Sequence, residues 1–404
     1  MPQASEFIHD WNNIGGPVHR LVEIDDETLR DGLQSPSVTH PDVETKRQCL
    51  RYMASLGIQR VDVGLPMSSQ VADIEKLLET IAEEHLPMLP GLAVRTVVGD
   101  LETVLRLRDK FPGLNIRANA FLRGSRIGIW AEGWDWAEVL DKARGAVAWA
   151  TERGVPVMFV TEDTTRSMPQ DVKEVYLAAV QAGAAEICVA DTVGHALPEG
   201  TVALLGYVRK LLDDAGYGKV KINWHGHSDR GFGLANAIAA IDAGADVVHG
   251  TILGIGERTG NTPLDQLLVN LKLTGRWKAP LTDLSAYVKT ISQSTATPVP
   301  AGYPVFGRDA FRTATGVHAA AVVKAAKLGA PDIADLVYSA VPAALVGRRQ
   351  EVEIGPLSGR WCCVAWLEAH NLPVEEPVIA RMLAAATKAN RVLSESEVKA
   401  AVAA

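Results

Sequence analysis

Short apolar, β-branched runs recur through the first two thirds of the chain, and between most of them lie longer stretches with apolar residues at helical spacing, such as VETKRQCLRYMASLG (43–57). The runs are LVEIDDETL (21–29), IQRVDVG (58–64), GLAVRTV (91–97), NIRANAFL (115–122), PVMFVTE (156–162), AEICVAD (185–191), KINWHGH (221–227) and DVVHGTI (246–252). Roughly one strand and one helix per 30 residues is the period of βαβ crossovers. Eight such units predict an α/β fold closed as a (β/α)8 TIM barrel. A doubly wound open sheet would carry a glycine-rich phosphate turn after its first strand, and none follows here.

The strand rhythm stops near residue 278, so the pattern divides the chain into a barrel (1–278), a linker helix and connector (279–305) and a mainly helical C-terminal region (306–404). In that last part ATGVHAAAVVKAAKLG, VEEPVIARMLAAATKANRVL and SESEVKAAVAA read as helices.

Composition narrows the function. With 48 acidic and 40 basic residues the net charge is −8, and 47% of residues are apolar, which is globular rather than disordered. No long Lys/Arg run offers a nucleic acid or an anionic membrane an electrostatic foothold, so small-molecule substrates are expected. The four cysteines (Cys49, Cys188, Cys362, Cys363) form no CxxC pair and fit a reducing cytoplasm. The opening MPQASEFIHDWNN lacks a basic stretch followed by an apolar one, and no apolar run approaches the roughly 20 residues of a membrane span. A soluble, cytoplasmic protein is the expectation.

Asp31, Arg95, Glu162, Asp191, His225, His227 and Glu257 fall at or just beyond the carboxyl ends of predicted strands, where barrel enzymes place their chemistry. In HGH (225–227), two imidazoles at i and i+2 on a strand point the same way and can share one ion; the alternative is one core and one surface histidine. Asp31, at the end of the first strand, which lies near the seventh across a closed barrel mouth, would add an anionic oxygen and leave coordination positions open. The glycine-dense GIGERTGN (254–261) suits a loop whose backbone approaches a ligand, with Asn261 either a neutral ligand or a helix cap. Arg30 beside Asp31 either stabilises a developing oxyanion or forms a strand-end salt bridge. Glu162 continues the inward alternation of its strand and is the candidate for proton transfer.

Together these residues resemble the acyl-CoA-condensing branch of metal-dependent barrel enzymes, which includes isopropylmalate, homocitrate and citramalate synthases. The resemblance runs through DETLRDGLQSP (26–36), RVDVGLP (60–66), TEDTTRS (161–167), ADTVGHALP (190–198), HGHSDRGFGLANAIAAIDAGA (225–245), HGTILGIGERTGN (249–261), AFRTATGVHAAAVVK (310–324), and YSAVPAALVG with IGPLSGR (338–360). It implies that Asp31, His225 and His227 bind one divalent metal (zinc, manganese or magnesium), with Asn261 either a further ligand or a residue just behind the ligands. It implies that Arg30 polarises the keto oxygen, that Gln34 and Thr192 contact the 2-oxo acid, and that Glu162 and His318 activate the acetyl methyl of acetyl-CoA. Tyr338 matches a tyrosine supplied by the C-terminal subdomain, and a homodimer with shared active sites is implied. The product would be a 2-substituted malate and free coenzyme A, as in leucine biosynthesis.

Departures from the family pattern bear on substrate choice. Ser228 stands where the family has asparagine after HxH, and Asp62 where it has glutamate. The fifth strand reads Met158, Phe159, Val160 where homocitrate-type enzymes carry a cation, so Met158 and Val160 predict an apolar substrate pocket. Arg95, at the third strand's end, is a further candidate for substrate contact. The tryptophan-rich FLRGSRIGIWAEGWDW (121–136) departs as well and is compatible with an unusual or larger side-chain pocket. The regulatory domain usual in isopropylmalate synthases is not expected here, nor feedback inhibition by leucine. A lyase of the hydroxymethylglutaryl-CoA type shares the RDGLQ and HxH segments but uses a cysteine in the loop that here reads GIGERTGN, and a metal aldolase would leave TGVH and Tyr338 unexplained. A noncatalytic barrel would be expected to have lost ligands or acid-base residues, and none is lost.

Overall fold

Eight parallel strands pair in chain order and close on themselves: β1 (Glu23–Asp26), β2 (Arg60–Asp62), β3 (Leu89–Arg95), β4 (Arg117–Arg123), β5 (Val157–Glu162), β6 (Glu186–Asp191), β7 (Lys221–Gly226) and β8 (Val247–Gly250). The computed structural model describes residues 6–9, 11–12, 21–67 and 69–404; most of the opening segment read above for export signals lies outside them. Closure is made by β1 against β8, with Glu23 opposite Val247 and Asp26 opposite Gly250. Every strand candidate of the sequence is a strand of this barrel.

One helix or more follows each strand, and their apolar faces bury against the barrel's outer surface. Val43–Ser55 is started by Asp42, whose side chain accepts from the Thr45 amide, and Trp136–Glu152 by a reciprocal capping box between Asp135 and Glu138. The alternation of β5 sends Phe159 and Thr161 outward, where the Thr161 hydroxyl bonds Tyr176 from the helix Pro169–Gln181.

The barrel interior is ionic rather than filled with branched aliphatics. At its base Arg60, 1% exposed, bonds Glu23 and takes both oxygens of Glu186 at 2.7 and 2.8 Å. One layer up, Arg117 bonds Asp25 and Asn119, and Asn119 donates to Asp62 at 3.1 Å. Gly91 makes room for this layer, since a Cβ there would stand 2.6 Å from the Asn119 amide nitrogen. Buried charge persists at such depth only when each ion is paired, and here each pairing also orients the layer above.

Among the described residues the chain divides into two compact units, one running from 21 to 298 and the other from 299 to 404 together with 6–9 and 11–12. The helix Leu284–Ser294, which the sequence pattern set in a linker, belongs to the barrel unit: Tyr287 is fully buried and donates to Asp26 at 3.0 Å. In the second unit five helices (Gly316–Lys327, Pro331–Leu336, Arg360–Ala369, Glu376–Lys388, Glu395–Ala403) accompany a two-stranded parallel pair, Arg312–Thr313 with Glu351–Val352. Its core gathers Ile354, Cys362, Cys363, Leu367, Met382 and Val398. The helix Arg360–Ala369 was not anticipated, because its run RWCCVAWLEA is apolar nearly all round and lacks a polar face to reveal the helical period. All four cysteines are buried and free. Among the described residues no helix is long and apolar enough to cross a membrane.

Candidate active site

The turn after β1 carries three charged residues to the barrel's mouth. It is fixed at both ends: Asp26 accepts from the Thr28 amide at 2.8 Å, and the Thr28 hydroxyl accepts from the Ile252 amide beyond β8 at 2.9 Å. The backbone then winds tightly, with Arg30 and Gly32 amides both donating to the Glu27 carbonyl, so that Glu27, Arg30 and Asp31 face the lumen together. From the other side β7 carries His225 just before its last residue, Gly226, and His227 follows directly beyond it.

These residues converge. His225 Nε2 and His227 Nε2 are 3.2 Å apart, and Asp31 Oδ2 lies 3.4 Å from the first and 4.0 Å from the second. A tetrahedral cation with bonds of about 2.1 Å holds its ligand atoms roughly 3.4 Å apart, so the spacing fits one ion. Two further buried atoms await partners: Asp31 Oδ1 and His227 Nδ1 have no hydrogen bond. Burial and the charge of His225 push His227 down to about 4, which keeps it neutral and ligand-competent. Burial opposes ionisation of Asp31, but the Arg30 guanidinium outweighs it and holds the carboxyl below its ordinary value.

Behind this set stand two residues the sequence reading missed. Glu27 Oε2 is 2.8 Å from His225 Nδ1, and its Oε1 is 3.0 Å from His249 Nδ1, while His249 Nε2 meets Asn223 Oδ1 at 3.2 Å. Glu27, His225 and His249 themselves lie close enough to form a second buried donor cluster. Arg30 is bound on three sides, by Glu27 at 2.7 Å, Asp31 at 2.9 Å and Asp62 at 3.0 Å. Asp62 also accepts from Asn119 and the Gly64 amide, yet burial pushes it up to about 6.

The group opens into a cavity of about 280 Å³. Met158, Val160 and Glu162 of β5 all line it, as their alternation implied, and Gln34 and Thr192 do too. Leu65, Ala93 and Phe121 extend the apolar wall, while Asn119 and Glu257 add polar edges. Burial raises Glu162 above the usual carboxylate value, with Arg123, 4.0 Å away, partly offsetting it.

Other candidates are placed elsewhere. Arg95 does not line the cavity; its guanidinium forks onto Asp100 at 2.9 Å on both arms, with its side chain 63% exposed, because Asp100 in the next helix's first turn also takes its backbone amide. Asn261 pairs its backbone with His227, donates from Nδ2 to Ile255, and leaves Oδ1 buried without a partner. The loop glycines serve this approach: at Gly256, φ +155°, a Cβ would sit 2.2 Å from Asn261 Nδ2. The Ser228 hydroxyl donates to the Asn261 carbonyl, tying strand end to loop. His318 and Tyr338 belong to the second unit, where their rings stack at 3.8 Å with Tyr338 52% exposed.

The model of the HMGL-like family matches residues 21–293. A 2-isopropylmalate synthase of Pyrococcus abyssi is 34% identical over 314 residues, 76% of this chain and 63% of that protein. The homocitrate synthase AksA of Methanopyrus kandleri is 29% identical over 364 residues, 90% of this chain and 86% of its own. Among solved structures, hydroxymethylglutaryl-CoA lyase from Pseudomonas aeruginosa superposes with a TM-score of 0.57 at 19% identity, over 68% of this chain and 92% of that one, a likeness of fold.

Proposed function

The chain belongs to the HMGL-like family, and from that premise we propose that it is an acyltransferase condensing acetyl-CoA with an apolar 2-oxo acid, of the size of 2-oxoisovalerate, to give a 2-substituted malate and free coenzyme A. The observation that carries this reading is a single cavity faced on one side by Asp31, His225 and His227, on another by the carboxylate of Glu162, and on a third by Met158, Val160 and Phe121.

Asp31, His225 and His227 would hold one divalent cation, with the unpartnered Oδ1 of Asn261 in reserve. When bound, the ion supplies positive charge beside the keto acid's oxygens. Glu162, ionised, takes a proton from the acetyl methyl, and the resulting enolate carbon bonds to the keto carbon. The keto oxygen becomes an alkoxide, which the Arg30 guanidinium stabilises; its three carboxylate partners hold that fork in place before the charge develops. Gln34 and Thr192 orient the acid, and water then cleaves the thioester, releasing the thiol and leaving a carboxylate. His318 and Tyr338 assist at the acetyl group, and the active protein is a homodimer that shares its sites. The condensation takes place in the barrel unit, which extends through the helix Leu284–Ser294.

Arg30 is the one arginine on the cavity wall among the described residues, and three carboxylates already balance its charge, so it offers no free cation to a distal carboxylate. This favours an apolar acid over 2-oxoglutarate, and hence the isopropylmalate-type reaction over the homocitrate type. A thiol-release assay with acetyl-CoA against 2-oxoisovalerate, pyruvate, an aromatic 2-oxo acid and 2-oxoglutarate, with and without chelator, tests it. Fastest turnover of 2-oxoglutarate, or activity indifferent to chelation, would overturn the reading.

A further inference from the structure

Asn223 and His225 stand two residues apart on β7 and so point to the same face of the sheet. Beside them on β8, His249 is 2% exposed, and its ring meets that of His225 edge to face with centroids 5.8 Å apart. The Asn223 amide has one orientation that its surroundings accept. Its Nδ2 donates both hydrogens, to Glu186 Oε2 at 3.0 Å and to the Ile187 carbonyl at 3.1 Å; turned over, it would set its oxygen against both of those acceptors. Glu186 is itself held at both oxygens by Arg60 at the barrel's base. Asn223 Oδ1 is therefore an acceptor, and His249 Nε2, 3.2 Å away, is its donor.

On the ring's other side His249 Nδ1 lies 3.0 Å from Glu27 Oε1. That oxygen already accepts from Arg30 at 2.7 Å, and Glu27 Oε2 faces His225 Nδ1 at 2.8 Å. Burial opposes ionisation of Glu27, but the charge of Arg30, with those of the two imidazoles, holds it well below the ordinary carboxylate value, so it has no proton to give. The donor across the Glu27 contact is again His249. Resting on the metal set proposed above, and on no later step of that reaction, we infer that His249 is a positioning residue: braced by Asn223 and donating from both ring nitrogens, it pins Glu27 so that the carboxylate can orient His225. Arg30 alone would let the carboxylate turn about the gripped oxygen, whereas two donors from different elements on that oxygen fix its plane. A second ion among Glu27, His225 and His249 would need the lone pair on His249 Nδ1 that this proton occupies.

The zinc-loaded, isotope-labelled full chain shows the ring protons in proton–nitrogen correlation spectra. One ring protonated at both nitrogens is expected, and its signals should vanish in His249→Leu, which is similar in volume and has no donor. A residue-249 ring with a single protonated nitrogen, or two zinc ions per chain by atomic absorption, overturns the assignment. Zinc affinity, read by competition with a chelating dye, reports on the role. His249→Leu is expected to weaken zinc about tenfold, and the double variant with Glu27→Gln to bind zinc within about twofold of Glu27→Gln alone, because both changes release the same carboxylate. Zinc affinity untouched by His249→Leu, or losses that multiply in the double variant, would show that His249 does not act through Glu27. None of these readouts needs turnover: the expected spectra and affinities without thiol release from any 2-oxo acid would sink the condensation and keep the place of His249.

Discussion

His225 Nδ1 lies 2.8 Å from Glu27 Oε2, so the ring's other nitrogen, Nε2, is left to face Asp31 and His227. A carboxylate behind a ligating imidazole fixes its tautomer and strengthens it as a donor. Burial opposes the charged form of His225, but the Glu27 charge overrides it and raises the group, as it does the ring's basicity. Glu27→Gln keeps the volume and removes the charge. It should lower zinc affinity by about 10–100-fold, read by competition with a chelating dye, with the far-ultraviolet dichroism unchanged. Unaltered zinc affinity would show that Glu27 serves only the fold.

Glu162 is held above the ordinary carboxylate value by burial, and the role of base proposed for it requires the ionised form. The rate should therefore fall as pH drops through that raised value, placing the acid limb of kcat/KM above pH 4.5, the usual glutamate position. Glu162→Gln should cost about 10²–10⁴ in kcat and erase the limb, while KM for the 2-oxo acid changes little. A full acid limb in the variant would assign it to another group.

The sequence revealed the barrel readily and the site unevenly, for reasons that lie in period and position. All eight strands were legible because each pairs β-branched content with flanking helical spacing. Met158, Val160 and Glu162 were legible through simple alternation within β5. The same alternation along Arg117, Asn119 and Phe121 would have found Asn119 and Phe121, but a polar residue inside a barrel strand breaks the apolar expectation. Glu27 escaped because β1 ends at Asp26, and in the winding turn that follows alternation no longer says which carboxylate faces inward. His249 sits in the middle of an apolar strand, where a lone histidine reads as core. Arg95 misled for the opposite reason: its place at a strand's end looked catalytic, and only the fold brings Asp100 onto it.

Asp26 makes a prediction about stability. Fully buried beneath the site, it is pushed up to about 7 by burial, against the bonds it accepts from Thr28 and Tyr287; the neighbouring Asp25 pushes the same way. A carboxyl raised on folding stabilises the native state fully below its unfolded value, near 3.8, and loses that contribution as pH climbs through 7. Asp26→Asn removes the titration. Compared with the unaltered protein, its unfolding free energy should gain on the order of a few kcal/mol between pH 4 and pH 8, measured by urea melts at both. Parallel pH profiles for the two proteins would contradict this.

Phe121 lines the cavity in which the proposed reaction would seat its 2-oxo acid. In the sheet it stands between Arg95 of β3 and Val160 of β5, and because Arg95 is drawn off to Asp100, the phenyl ring and Val160 form an unbroken apolar wall beside Met158. In the proposed reaction a branched three-carbon side chain, as in 2-oxoisovalerate, would pack against that wall, whereas a distal carboxylate would be desolvated there with no free cation to meet it. Phe121→Ala exchanges a ring for a methyl and opens space without adding charge. The ratio of kcat/KM for an aromatic 2-oxo acid over 2-oxoisovalerate should rise about 10–100-fold, while 2-oxoglutarate stays a poor substrate. If the variant instead gained 2-oxoglutarate, bulk rather than missing charge would be what excludes that acid, and the apolar-wall account of selectivity would fail.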